Sequence, residues 1–231
     1  MNQWYIRKTA IVEADDFYDS PMRNGLNFLF HWKTKYPKFK ITLFTIPDRT
    51  SNEMIQLLSN HTDWIELAVH GWDHESNFEC YSWDYDKTKT LMEKVEKVEW
   101  CPRDCTNMSA YSKIFKAPGW CITPGNNGYP ANPEDALAKD PQAVYKALNS
   151  MDYLIVDRHY NALGRPKDTK VVCIDCNPDI VHMHTWNMMS PNKDERNGFE
   201  QVEERGLPWD KDTEFYFISE AWEKDLIKPC I

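Results

Sequence analysis

The stretch Thr9-Ala10-Ile11-Val12-Glu13-Ala14, followed at once by Asp15-Asp16-Phe17, decides how the rest of the chain is read. A β-branched and apolar run of this length reads as a strand. It stops on two adjacent carboxylates. Other runs repeat the pattern. Trp64–Val69 ends at His70, with His74 close behind. Tyr153–Val156 ends at Asp157, and Ile180–Met183 ends at His184. Further strands are expected at Phe39–Ile46, stopped by Pro47-Asp48, at Ile114-Phe115, stopped by Pro118-Gly119, and at Val171–Ile174. Helical spacing fills the intervals at Asn24–Tyr36, from an N-capping Ser51 through Leu58, at Lys87–Val98 and at Pro141–Ser150. Ser190–Leu207 reads as a loop or a solvated helix. Glu214–Ser219 reads as a last strand, with a short helix near Trp222. Strands alternating with helices predict an α/β fold with a largely parallel sheet. An open doubly wound sheet and a closed barrel both fit. In either, functional residues collect at the carboxyl ends of the strands, where these polar residues fall.

Composition narrows the classes. The 231 residues carry 27 Lys plus Arg against 36 Asp plus Glu, a net charge of −9. That balance argues against a nucleic-acid partner, whose phosphates need cations. No apolar run approaches the roughly 20 residues of a membrane span, and the first residues contain no secretory signal, so a cytoplasmic location is expected. With 42% apolar residues and 10 Trp, the chain can bury a core. The 8 glycines form no phosphate-binding loop. One domain spanning residues 1–231 is expected, without repeats or linkers.

Seven cysteines, an odd number, suggest reduced thiols in a reducing compartment. Cys101-x3-Cys105 and Cys173-x2-Cys176 leave a structural zinc site as an alternative. Strand alternation across Val171–Ile174 would point Cys173 and Cys176 to opposite faces, against that alternative.

His70-Gly-Trp-Asp-His74 has the spacing at which two imidazoles on a helical turn share a face and one ion. It lacks the Glu of the zinc-protease motif, H-E-x-x-H. Asp15 and Asp16 repel each other at a strand end, and a cation would relieve that cost.

The set Asp15-Asp16-Phe17, His70-x3-His74, Phe115-Lys-Ala-Pro-Gly-Trp120 and Ile180-Val-His-Met-His184 resembles the polysaccharide deacetylase family, the NodB-like proteins of carbohydrate esterase family four. The resemblance covers roughly Thr9 to Trp186, which makes residues 187–231 a C-terminal extension. It implies a distorted (β/α) barrel and a metal-dependent hydrolase that removes an N-acetyl group from an amino sugar or saccharide. Asp16, His70 and His74 match the metal ligands, for zinc or alternatively cobalt or nickel. Asp15 matches the catalytic base, and His184 matches the acid that protonates the leaving amine. His182 stands where the family usually has an apolar residue and shares a strand face with His184, as a neighbour or alternate.

Two positions depart from the pattern. Lys116 replaces an arginine that pairs with the catalytic Asp, and it lacks the bidentate fork. Asp157 is a loose match to the Asp that orients the acid His. The Gly119 N–H is a candidate oxyanion donor, and Trp72, Trp120 and Trp186 are candidate sugar-stacking surfaces. A hydrolase of another C–N bond on a small-molecule amide remains an alternative, as does a carbohydrate-binding relative without activity.

Overall fold

In a computed structural model of the chain, residues 6–20, 25–100, 108–122, 140, 142–158, 165–186 and 197–229 are described. Strand β1 spans Thr9–Phe17, β2 Ile41–Thr45, β3 Ile65–His70, β4 Glu99–Trp100, β5 Met108–Ser109, β6 Ile114–Lys116, β7 Leu154–Asp157, β8 Val171–Cys173, β9 Ile180–His184 and β10 Glu214–Phe215. Helix α1 spans Leu26–Lys35, α2 Asn52–Ser59, α3 Tyr85–Glu96, α4 Ala143–Ser150, α5 Gly198–Arg205 and α6 Ile218–Glu223. The α/β reading holds: β1 pairs in parallel with β2, β9 and β10, and β6 and β7 pair in parallel with their neighbours.

The described residues form two compact units, each assembled from separated segments. The first takes the described residues within 1–45, 49–67 and 179–226. Here β1 is flanked by β2 along one edge and by β9 along the other, and its first residues pair with β10. Its core is aromatic. Trp32 stands edge-on to Phe39, Phe199 and Trp209, with ring centroids 5.8, 5.4 and 5.5 Å away. These rings are buried, and such pairs contribute beyond the area they remove from water. Ser51 caps α2 as expected, its Oγ accepting from the Met54 N–H at 3.2 Å.

The second unit takes the described residues within 46–48, 68–178 and 227–231. It holds the end of β3, then β6, β7 and β8 in that order, with the small antiparallel pair β4–β5. Asp84 caps α3 through the Lys87 N–H. The Asn177 side-chain amide donates to the carbonyls of Cys173 and Lys228, and its oxygen accepts from the Lys228 N–H. Val172 bridges Pro229 beside it.

Several expectations change. Strand β1 does not stop at the Asp pair; it continues to Phe17 through a register shift between Ala14 and Phe17. Glu214–Ser219 is strand for only two residues, because α6 begins at Ile218. Of Ser190–Leu207, residues 198–205 are the helix α5. Cys173 and Cys176 do not point apart: β8 ends at Cys173, the chain turns, and the two sulfurs lie 2.8 Å apart. Cys101 and Cys105, the other half of the proposed cysteine site, lie outside the described residues.

Candidate active site

In the first unit, β1 and β9 set four polar residues side by side. Their parallel register places Glu13 opposite His182 and Asp15 opposite His184. Alternation puts each pair two residues apart on one face of its strand. The ligand-capable atoms of Asp15, His182 and His184 all lie within 4.8 Å of one another. The two imidazoles meet edge to face with centroids 4.8 Å apart. Behind them Glu13 is fully buried, and His182 donates from Nδ1 to its Oε1 at 2.6 Å. Glu13 was legible as a same-face neighbour of Asp15 by alternation, yet its role as a support for His182 needs the pairing of β1 with β9.

Asp16 sits at the irregularity in β1 with φ +65°, in the left-handed region. The segment after β9 pins it there. Thr185 Oγ1 donates to the Asp16 carbonyl at 2.7 Å, the Thr185 N–H donates to the Asp15 carbonyl at 3.0 Å, and the Trp186 indole N–H donates to Asp16 Oδ2. Both carboxylates are buried, at 3% and 8% exposure. Two adjacent buried carboxylates carry a desolvation cost that a cation offsets. His182, His184 and Trp186, with Gln201 and Arg205 of the following helix, line a cavity of about 230 Å3.

In the second unit, β3 delivers His70 in register with Lys116 of β6. His70 is buried, and its Nδ1 donates to the Lys116 carbonyl at 3.2 Å. That bond assigns the proton to Nδ1 and leaves the lone pair on Nε2, the tautomer a metal ligand needs. The pair His70–His74 is not carried on a helical turn. Gly71 and His74 both have left-handed φ, +64° and +50°, and the folded-back turn brings the rings to 5.2 Å. Glu79 shapes this turn, accepting from the backbone N–H groups of Trp72 at 2.9 Å and Asp73 at 3.2 Å. A Cβ on Gly71 would meet Glu79 Oε1 at 1.7 Å and Pro118 Cγ at 2.7 Å on left-handed backbone, so any other residue is strained there. Burial raises the Glu79 carboxyl to about 7, against the pull of the Trp72 N–H. No local pattern announces Glu79, because its partners lie six and seven residues earlier.

Lys116 is fully buried, with its ammonium 4.3 Å from the centre of the Trp120 ring. The Arg158 guanidinium stands 5.2 Å from the same ring, a contact the sequence reading did not anticipate. Both fit cation–π attraction. Gly119 and Trp120 are consecutive left-handed residues, at φ +56° and +63°. Asp157 accepts from the Tyr145 hydroxyl at 3.0 Å and the Arg158 N–H at 2.7 Å. Trp72 lies under the Lys94 ammonium at 5.2 Å. Asp16, His74 and Trp120 are three of the five described non-glycine residues with positive φ. Backbone in that region costs about 1–3 kcal/mol per residue and concentrates at functional sites.

Asp and His side chains thus form groups that could hold a metal ion. Imidazole nitrogens and carboxylate oxygens suit zinc and its borderline neighbours. No helix among the described residues is long and apolar enough to cross a membrane.

No protein-family model matches the sequence, and no curated protein matches it. Solved structures similar to this chain include a family 4 acetyl xylan esterase from Clostridium thermocellum in complex with cobalt, 13% identical over 94% of this chain and 93% of that one, with TM-score 0.49. A peptidoglycan N-acetylglucosamine deacetylase is 13% identical over 94% and 89%, with TM-score 0.48. A chitin deacetylase from Colletotrichum lindemuthianum is 12% identical over 93% and 89%, with TM-score 0.45. The chemistry rests on the residues of this chain.

Proposed function

We propose that the protein is a metal-dependent hydrolase that removes an N-acetyl group from an amino sugar or saccharide, with Asp16, His70 and His74 as ligands of one divalent ion, most simply zinc. The observation that carries the reading is the His70 tautomer: its Nδ1 proton is committed to the Lys116 carbonyl, which presents Nε2 as a donor at the end of a strand. The placement of Asp15 opposite His184 supports it, since amide hydrolysis needs a base for water and an acid for the leaving amine.

When bound, the ion supplies positive charge for the acyl oxygen and makes water more acidic. Asp15 takes the proton of the attacking water. The Gly119 N–H is assigned to the developing oxyanion, where a fixed donor contributes much of the rate. His184 protonates the nitrogen, and acetate and the free amine leave. Lys116 and Asp157 are assigned the roles of orienting the base and the acid. Trp72, Trp120, Trp186 and His182 receive the sugar, whose C–H faces pack on aromatic rings.

The test measures metal content and acetate release from N-acetylated chito-oligosaccharides. His74→Ala is expected to lower metal affinity at least tenfold. Asp15→Asn is expected to bind metal at this site and lose at least a hundredfold in kcat. Unchanged metal affinity at every site in His74→Ala would remove the ligand assignment, and full activity of Asp15→Asn would remove the base.

A further inference from the structure

The proposed metal ligands leave one side-chain group without an assignment of its own kind. Asp15, His182 and His184 hold their donor atoms within 4.8 Å of one another, inside the first unit. Donors on a single tetrahedral zinc lie about 3.3 Å apart, given bond lengths near 2.0–2.1 Å. The group is therefore at most about 1.5 Å wider than a filled site, a gap that rotation of two half-buried imidazoles closes.

Behind the group stands the feature that distinguishes a ligand from a chance neighbour. The fully buried Glu13 carboxylate accepts from His182 Nδ1 at 2.6 Å. Carboxylate–histidine pairs of this kind fix the tautomer with Nε2 as acceptor and raise its basicity toward a metal. A purely apolar strand pairing would not bury a carboxylate here. The cavity of about 230 Å3 in front of His182 and His184 leaves room for the water that completes the coordination.

We infer that Asp15, His182 and His184 form a second divalent-cation site, supported by Glu13 and selective for zinc-like ions. Binding at this site stands independently of the proposed function. Its consequence rests on that reading: an ion here occupies both the proposed base, Asp15, and the proposed acid, His184. Filling the site therefore inhibits, and zinc activates at low concentration and inhibits at higher concentration.

The experiment is equilibrium dialysis of the full chain against zinc, with folding checked by circular dichroism. Wild type is expected to take up two equivalents, the second more weakly. The double variant His70→Ala/His74→Ala is expected to keep one equivalent, and adding His182→Ala removes it. Glu13→Gln, which preserves shape, is expected to weaken that equivalent by 10–100-fold. Should the double variant not fold, the fall from two equivalents to one in His182→Ala alone decides the point. The inference is overturned if the folded double variant binds no zinc, or if His182→Ala retains both equivalents. A chain whose single equivalent is lost in His182→Ala and kept in His74→Ala would support this site and remove the ligand set of the proposed function.

Discussion

Burial holds the Glu79 carboxyl near 7 in the folded protein, against 4.5 for an ordinary glutamate. Between those values the folded state keeps a proton that the unfolded state has lost. Unfolding then releases a proton, so stability falls as pH rises from about 5 to 7, and the slope ends once both states are ionised. The whole effect is at most about 3 kcal/mol. Melting temperatures across pH 5–8 should decline in wild type, and Glu79→Gln should flatten the decline. Equal slopes in the two proteins would show that another group titrates. Much of the candidate site was legible one residue at a time. Asp15, His70, Asp157 and His184 each end an apolar run, and alternation pairs His182 with His184 and Glu13 with Asp15. The left-handed backbone of Asp16, His74 and Trp120 was not legible. At Asp16 the φ value goes with hydrogen bonds to a distant segment, Thr185 Oγ1 to the Asp16 carbonyl among them, which no local pattern announces.

Elements announced themselves where side-chain periodicity was long enough to read. Helices α2 and α3 lie close to where Ser51 and the Leu91–Val95 spacing put them. Ser51→Ala should cost about 1 kcal/mol, the usual value of an N-cap, measurable by urea denaturation. Strands β4 and β5 have two residues each, too few for any pattern to show. The last strand was read too long because Phe217 and Ile218 are apolar and buried, yet they cap and open a helix. After that helix, Asp225 holds φ +54° with its N–H donating to the Trp222 carbonyl. Glycine is the residue that adopts this conformation without steric cost. Asp225→Gly should raise stability by about 1 kcal/mol, or roughly 2–4 °C in Tm for a chain of this size. A fall in Tm would mean that the Asp225 side chain contributes more than its backbone costs.

Across the molecule, the alternation of strands and helices gave the parallel α/β class, whereas the division into two units could not be read from the order of elements. Each unit gathers segments far apart in the chain. The aromatic core of the first unit shows why: Trp32 and Phe39 meet Phe199, Trp209 and Phe215, more than 150 residues later. Trp32→Ala should cost about 3–5 kcal/mol, seen as a large drop in the urea midpoint. The pairing of β1 with β9 has the same character, with Ile11 opposite Ile180. During synthesis, at about 5–20 residues per second, the ribosome delivers the second of these roughly 10–30 s after the first. Throughout that interval the first strand has one edge with no partner yet made. The nascent chain is therefore open to edge-to-edge association for that interval, and the pace of translation sets how long it lasts.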